Sequence, residues 1–238
     1  MPIAPAIFAV AIGAGTAAVA VAGVLLAVQE TRRQQREWAK WAADRGWRHE
    51  SHSMSVFLGL RAEPFGKGLS QAVNVITGTW DGLPFTMYHF IRHVGVGRSS
   101  KTYLRTVAQF RCAARFPSLT LRHGTPPTLR TDLDFESADF NRAYEVLCED
   151  ERFAHSVVHP RLMAALLDGP LRQANVSLEA GTVTVWCEDH LMRASGTRLP
   201  RQLAHLVGLI PAHVWRDHGA EVPVRTDQGP GPAATPDD

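Results

Sequence analysis

The sequence predicts an α+β protein: an N-terminal transmembrane helix followed by one domain with an antiparallel sheet of about six or seven strands and helices on one side. Three observations predict it. Residues 3–28 form an apolar run that closes on Gln29-Glu30-Thr31-Arg32-Arg33. Strand-like alternation with turn signals occupies 72–122 and returns over 174–187. Helical patterns stand between these blocks and after them, ending in an amphipathic stretch over 199–210.

The anchor comes first. At about 1.5 Å of rise per residue, residues 3–28 are long enough to cross a hydrocarbon core of about 30 Å. A secretory signal has a basic leader, a short apolar core of roughly 7–15 residues and a small-residue cleavage site. Here nothing basic precedes Ile3, and Ala18-Val19-Ala20 and Ala20-Val21-Ala22 lie in mid-run, with Val24, Leu25 and Leu26 still to come. Residues 3–28 therefore meet membrane lipid. Arg32, Arg33, Arg36, Lys40, Arg45 and Arg48 follow the span, so the positive-inside rule places the N-terminus outside and the domain in the cytoplasm. Cys112, Cys148 and Cys187 are odd in number and widely spaced, which does not read as a disulfide framework. Ala14, Ala18 and Ala22 recur at four-residue spacing, a pattern that lets one span pack on another.

The 238 residues leave about 170 for a folded part, enough for one ordinary core. A net charge of +2 is spent beside the anchor, and no basic stripe with interleaved aromatics follows, which argues against a nucleic-acid partner. Lysine is confined to Lys40, Lys67 and Lys101 while arginine is abundant, the usage of a GC-rich bacterial genome.

Four regions follow: an N-terminal transmembrane anchor over 1–31, a basic juxtamembrane helix over 32–49, a globular α+β domain over 50–218 and a disordered tail over 219–238. In the helix, Trp38, Trp41 and Ala42 share one face and Gly46 is a C-cap. Arg32, Arg33, Arg36, Trp38, Lys40 and Trp41 are membrane-interface candidates; the alternative for the tryptophans is docking on the globular domain. Residues 50–69 hold little periodicity, and 64–68 read as a loop. Strands over 72–80 and 83–91 flank Asp81-Gly82, a pair suited to a tight hairpin because both tolerate positive φ. Residues 102–112 alternate, with Leu104, Thr106, Ala108 and Phe110 on one face and Tyr103, Arg105, Val107 and Gln109 on the other. A short strand spans 118–122, and another strand is expected near 143–147. Residues 150–168 are mostly helical, with Pro160 starting a fresh helix whose buried side carries Leu162, Met163, Leu166 and Leu167. A second hairpin turns at Glu179-Ala180-Gly181, and Pro211 stops the last helix. The Pro/Gly/Asp-rich end has no apolar periodicity.

The block over 140–163, beginning Phe140-Asn141-Arg142-Ala143-Tyr144-Glu145-Val146 and ending Pro160-Arg161-Leu162-Met163, resembles one in bacterial, actinobacterial-type, single-pass membrane-anchored proteins of unknown function. Asn74-Val75-Ile76-Thr77-Gly78, Gly82-Leu83-Pro84-Phe85 and Pro117-Ser118-Leu119 are similar to the same group. The resemblance implies a bacterial anchored domain and brings no catalytic residue with it.

Histidine is the enriched reactive type, with 11 residues. His49-Glu50-Ser51-His52 lacks the two residues between Glu and the second His that a zinc-protease helix needs. His89 and His93 would share a strand face, His155 and His159 a helix face, and Cys187 and His190 lie close in sequence. None has the second pair that completes a four-ligand site, so no metal and no cofactor is expected, and these six remain weak candidates. Residues 95–102 mimic a phosphate loop, but an alternating strand follows where a helix N-terminus is required. Cys148 is flanked by acids, which raises a thiol pKa. There is no G-x-S-x-G elbow.

These readings favour a non-enzymatic binding or scaffolding module at the inner face of a bacterial membrane, with a membrane or cytoplasmic protein as partner. The strand-rich start and the terminal amphipathic helix resemble membrane-adaptor domains of the pleckstrin-homology type, by architecture only. It should lack a concentrated polar cluster in a pocket and should carry an exposed apolar or sheet-edge patch. The alternative is a membrane-anchored hydrolase or metal-binding enzyme using a histidine cluster, and a third reading is an exported domain.

Overall fold

A computed structural model describes residues 29–30, 32–95, 100–124, 133–188 and 196–223. The apolar run over 3–28, His190 and most of the tail lie outside the described residues. Among the described residues no helix is long and apolar enough to cross a membrane.

Helix α1 (32–43) ends as foreseen at Gly46. The Gly46 N–H bonds the Ala43 carbonyl and the Trp47 N–H the Ala42 carbonyl, both at 2.9 Å, a Schellman cap with Gly46 at φ 70°. The cap turns the chain straight into β1 (Arg48–Ser53). Then come β2 (Leu69–Trp80), β3 (Leu83–Val94), β4 (Lys101–Arg111) and β5 (Leu119–His123). Next are α2 (Ala138–Ala143), β6 (Tyr144–Cys148), α3 (Glu151–Val157) and α4 (Pro160–Leu167). The chain closes with β7 (Asn175–Glu179), β8 (Thr182–Cys187), α5 (Arg198–Leu209) and α6 (Ala212–Asp217).

Among the described residues all strand pairs are antiparallel, in one sheet of eight with the order β1-β2-β3-β4-β8-β7-β5-β6. The chain leaves β4, builds the far edge with β5 and β6, and returns to insert the β7–β8 hairpin into the gap. Both hairpin turns have positive φ at their two central residues, Asp81-Gly82 and Ala180-Gly181, the twist that right-handed strands require. Val94 lies opposite Lys101, so the phosphate-loop mimic is a connection between neighbouring antiparallel strands.

The eighth strand, beyond the six or seven expected, is β1. Its sequence, Arg48-His49-Glu50-Ser51-His52-Ser53, offers no apolar side chain, because it is an edge strand whose inner side needs only partial burial. A bulge at Asn74 (φ 52°) shifts the register of β2 between Val73 and Ile76.

The sheet is buried on both faces. Ile76, Met87, Ala108, Phe110 and Val185 join side chains from all six described α-helices in the larger core. On the opposite face Ala72, Val75, Tyr88, Phe90, Val107 and Trp186 form a smaller core, closed by Phe65 and flanked by Val56, Phe57 and Leu60. The α-helices are thus on one side, as expected, while the 54–68 segment, with a short 3-10 helix over Ser55–Phe57, is a second layer. This explains β4, where the run from Arg105 to Phe110 is buried on both faces rather than alternately. Helix α6 extends the chain beyond the expected stop: Pro211 caps it, and it buries Trp215 against Phe110 and Phe116, at centroid distances of 6.2 and 5.3 Å.

Candidate functional site

A cavity of about 370 Å³ opens on the face covered by the 54–68 segment, at the size of a small-ligand pocket. It is lined by Glu63, Arg105, Arg122, His123, Gly124, Gln173, Asn175, Trp186, Cys187 and Glu188. Four adjacent strands supply it: Arg105 from β4, Trp186 and Cys187 from β8, Asn175 from β7 and Arg122 from β5.

Arg105 is the centre of its charge. The buried guanidinium donates to the Pro64 carbonyl at 3.0 Å and pairs with Glu63 at 3.1 Å and Glu188 at 3.6 Å. Arg92, one strand away, donates to the Phe65 carbonyl at 3.0 Å and reaches Glu63 at 3.8 Å. The Tyr103 ring lies 5.2 Å from the Arg92 guanidinium carbon and 5.6 Å from that of Arg105. Glu63 therefore ties the covering segment to two buried cations. On the far side Arg122 donates through Nε at 2.8 Å to Glu145, whose carboxylate is fully buried. Asn175 accepts the His123 N–H at 2.9 Å and donates to the Trp186 carbonyl at 3.3 Å, stitching β5, β7 and β8 where their ladder opens. A buried polar row leads away from the cavity: Tyr88 donates to Gln109 at 2.9 Å, and Gln109 to Thr184 at 3.5 Å.

A polar cluster thus lines a pocket, contrary to the expectation of none. Sequence reasoning missed it because the alternation placed Arg105 on one face of β4 without showing what covers that face. The available signal was the absence of any carboxylate between Gly82 and Thr131, which obliges Arg105 and Arg122 to find distant partners.

The candidates named from sequence are dispersed. His89 and His93 share a face of β3, the helix-covered one, where the His89 ring meets Trp38 edge-on at 5.9 Å and His93 Nδ1 lies 2.9 Å from Thr102 Oγ1. His155 and His159 do not share a helix face: α3 stops at Val157, and His159 is the N-cap residue of α4. His155 packs on Phe135 at 4.8 Å, and His159 Nε2 lies 2.9 Å from the Leu209 carbonyl oxygen. Cys187 lines the cavity. Among the described residues no three His, Cys, Asp or Glu side chains converge as a metal group. Burial pushes the Cys112 and Cys148 thiols up, Cys148 further through Asp150 and Glu149.

Arg32, Arg33, Arg36 and Lys40 are exposed along α1. Of the two placements open to the tryptophans, docking on the domain is the one observed. Trp38 is buried against His89, and Trp41, half-buried, meets Trp47 at 5.4 Å with Arg45 over its ring at 4.3 Å.

The class defined so far is an α+β domain with one two-faced antiparallel sheet, a helical layer and a charge-compensated polar cavity. The crystal structure of the mycobacterial trehalose monomycolate transport factor A, TtfA, is similar: TM-score 0.52 and 17% identity, over 74% of this chain and 96% of that one. At that identity the likeness is one of fold. No protein family's sequence profile and no curated protein matches the chain.

Proposed function

We propose that this protein is a non-enzymatic binding or scaffolding factor of a bacterial membrane, held by residues 3–28 with its domain on the cytoplasmic side, and that it assists transport of a lipid-linked envelope molecule. The observation that carries this reading is the fold likeness to a transport factor across nearly the whole of that protein. The cavity agrees with it. Its charges are spent on one another, Arg105 on Glu63 and Glu188 and Arg122 on Glu145, as suits a structural or recognition site.

The test is deletion in the source bacterium, with lipid-linked envelope precursors followed across the cytoplasmic membrane. A transport factor's loss makes a finished precursor accumulate at the inner membrane, and a Cys187→Ser chain restores traffic in full. Loss of a chemical product, unrestored by Cys187→Ser, would instead mark a hydrolase. Reporter fusions after Asp238 check the orientation: activity only outside the cell overturns the cytoplasmic placement.

A further inference from the structure

We propose that the end of the sheet where β2 begins and β3 ends is a membrane-docking edge, resting on an anionic bilayer. The inference builds on the anchored reading above and adds an orientation to it.

The path of α1 supplies the geometry. Trp38 meets His89 at 5.9 Å, and further along the chain Trp47 meets Phe85 at 5.0 Å. His89 and Phe85 are four residues apart on β3, roughly 13 Å. The chain therefore enters the domain antiparallel to β3, and going back from Trp38 to Arg32, about 9 Å of helix, leads towards the Val94 end. The apolar run stops at Val28, four residues before Arg32. A membrane holding that run lies beyond this end of the sheet.

The same end is built for a lipid surface. Leu69 is 76% exposed and Val94 38%, although both are large apolar side chains. They stand at the same end of the sheet on its two faces: Leu69 pairs with His93, and Val94 is the next residue along β3. Lys67 is exposed beside Leu69, and Lys101 is exposed opposite Val94. There is no carboxylate from Pro64 to Trp80 or from Gly82 to Thr131. At the start of α1, Arg32, Arg33 and Arg36 are exposed, with Glu30 beside them and Glu37 paired to Arg33. Asp81 in the β2–β3 turn and Glu179 at the β7–β8 turn stand at the opposite end of the sheet, while the near end's Glu63 and Glu188 are paired with Arg92 and Arg105. The end nearest the anchor thus brings exposed apolar side chains and lysines together. Apolar side chains ringed by lysine and arginine are what an anionic headgroup layer accepts.

The test places a photo-crosslinking p-benzoylphenylalanine at Leu69, or at Asp81 as the opposite-end control, in the full chain. The chain is reconstituted in phosphatidylglycerol–phosphatidylcholine vesicles and in pure phosphatidylcholine vesicles. The expected result is lipid adducts from position 69 and none from 81. Each basic group near an anionic surface is worth about a fivefold factor, so Lys67→Gln with Lys101→Gln lowers the docked-to-undocked ratio about 25-fold, in the anionic vesicles alone. Unchanged melting of the Gln variant separates docking from folding. Equal adducts at 69 and 81, protein adducts in place of lipid, or no adduct at 69 each overturn the proposal. Alkaline carbonate extraction separates the two readings: a released chain that still labels lipid at 69 keeps the docking edge and sinks the anchor, and a retained chain unlabelled at 69 does the reverse.

Discussion

Trp47 packs directly onto the backbone of Gly78: a β-carbon at position 78 would stand 2.6 Å from the indole Cγ. Because Trp47 is also the residue whose N–H closes the cap of α1, this contact joins the end of the helix to β2. Only glycine leaves room for it.

Gly78→Ala should therefore lift Trp47 from its seat against Phe85 and Trp80. Overpacking of this kind costs about 1–3 kcal/mol. Denaturant unfolding should report the loss, and tryptophan emission should shift to the red in the folded state. An unshifted spectrum with unchanged stability would mean that the indole is not held there.

Glu63→Ala removes the carboxylate facing two buried guanidiniums, those of Arg105 and Arg92. Stranding a fully buried charge costs about 3–5 kcal/mol; Glu63 is partly exposed, so about 2 kcal/mol is expected. The loss should be local first. Limited proteolysis should cut the 54–68 segment faster in the variant, ahead of global unfolding.

Tyr88→Phe leaves the Gln109 carbonyl oxygen without its buried phenol donor, at a cost of about 1–3 kcal/mol by thermal or chemical unfolding. The same residue sets a pH dependence. Burial raises the Tyr88 hydroxyl well above its ordinary 10.0, and the Cys112 and Cys148 thiols above 9.0. These acids are neutral when protonated, and the folded state holds their protons more tightly than the unfolded chain does. Their contribution is complete below the unfolded values and is lost as pH rises towards the folded ones. Melting temperature should hold to about pH 9 and then fall, and less steeply in Tyr88→Phe, which lacks one of the titrating groups.

Cys148 should alkylate slowly in the folded protein at neutral pH, since burial first, and then Asp150 and Glu149, disfavour its thiolate. Iodoacetamide labelling followed by mass spectrometry should find it several-fold slower than the same cysteine in urea. Labelling at the unfolded rate would contradict the burial.

Local chain chemistry decided much of the architecture. Asp81-Gly82, the Gly46 cap and the Pro160 helix start are backbone requirements met by the residues in place, independent of distant partners. The strong alternating strands and the amphipathic α5 are equally legible, because burial on one side leaves a period. What the chain could not declare locally is pairing across distance. The insertion of β7–β8 between β4 and β5 follows from contacts separated by some seventy positions, such as Cys112 to Gly181. The polar edge strand β1, the docking of Trp38 on His89 and the second layer over 54–68 depend on a partner surface that exists only after folding. So does the cavity. In sequence Arg105 and Arg122 are only charges in strand patterns, and the folded sheet brings them to Glu63 and Glu145, because charge compensation in a core is a property of place rather than of sequence neighbourhood.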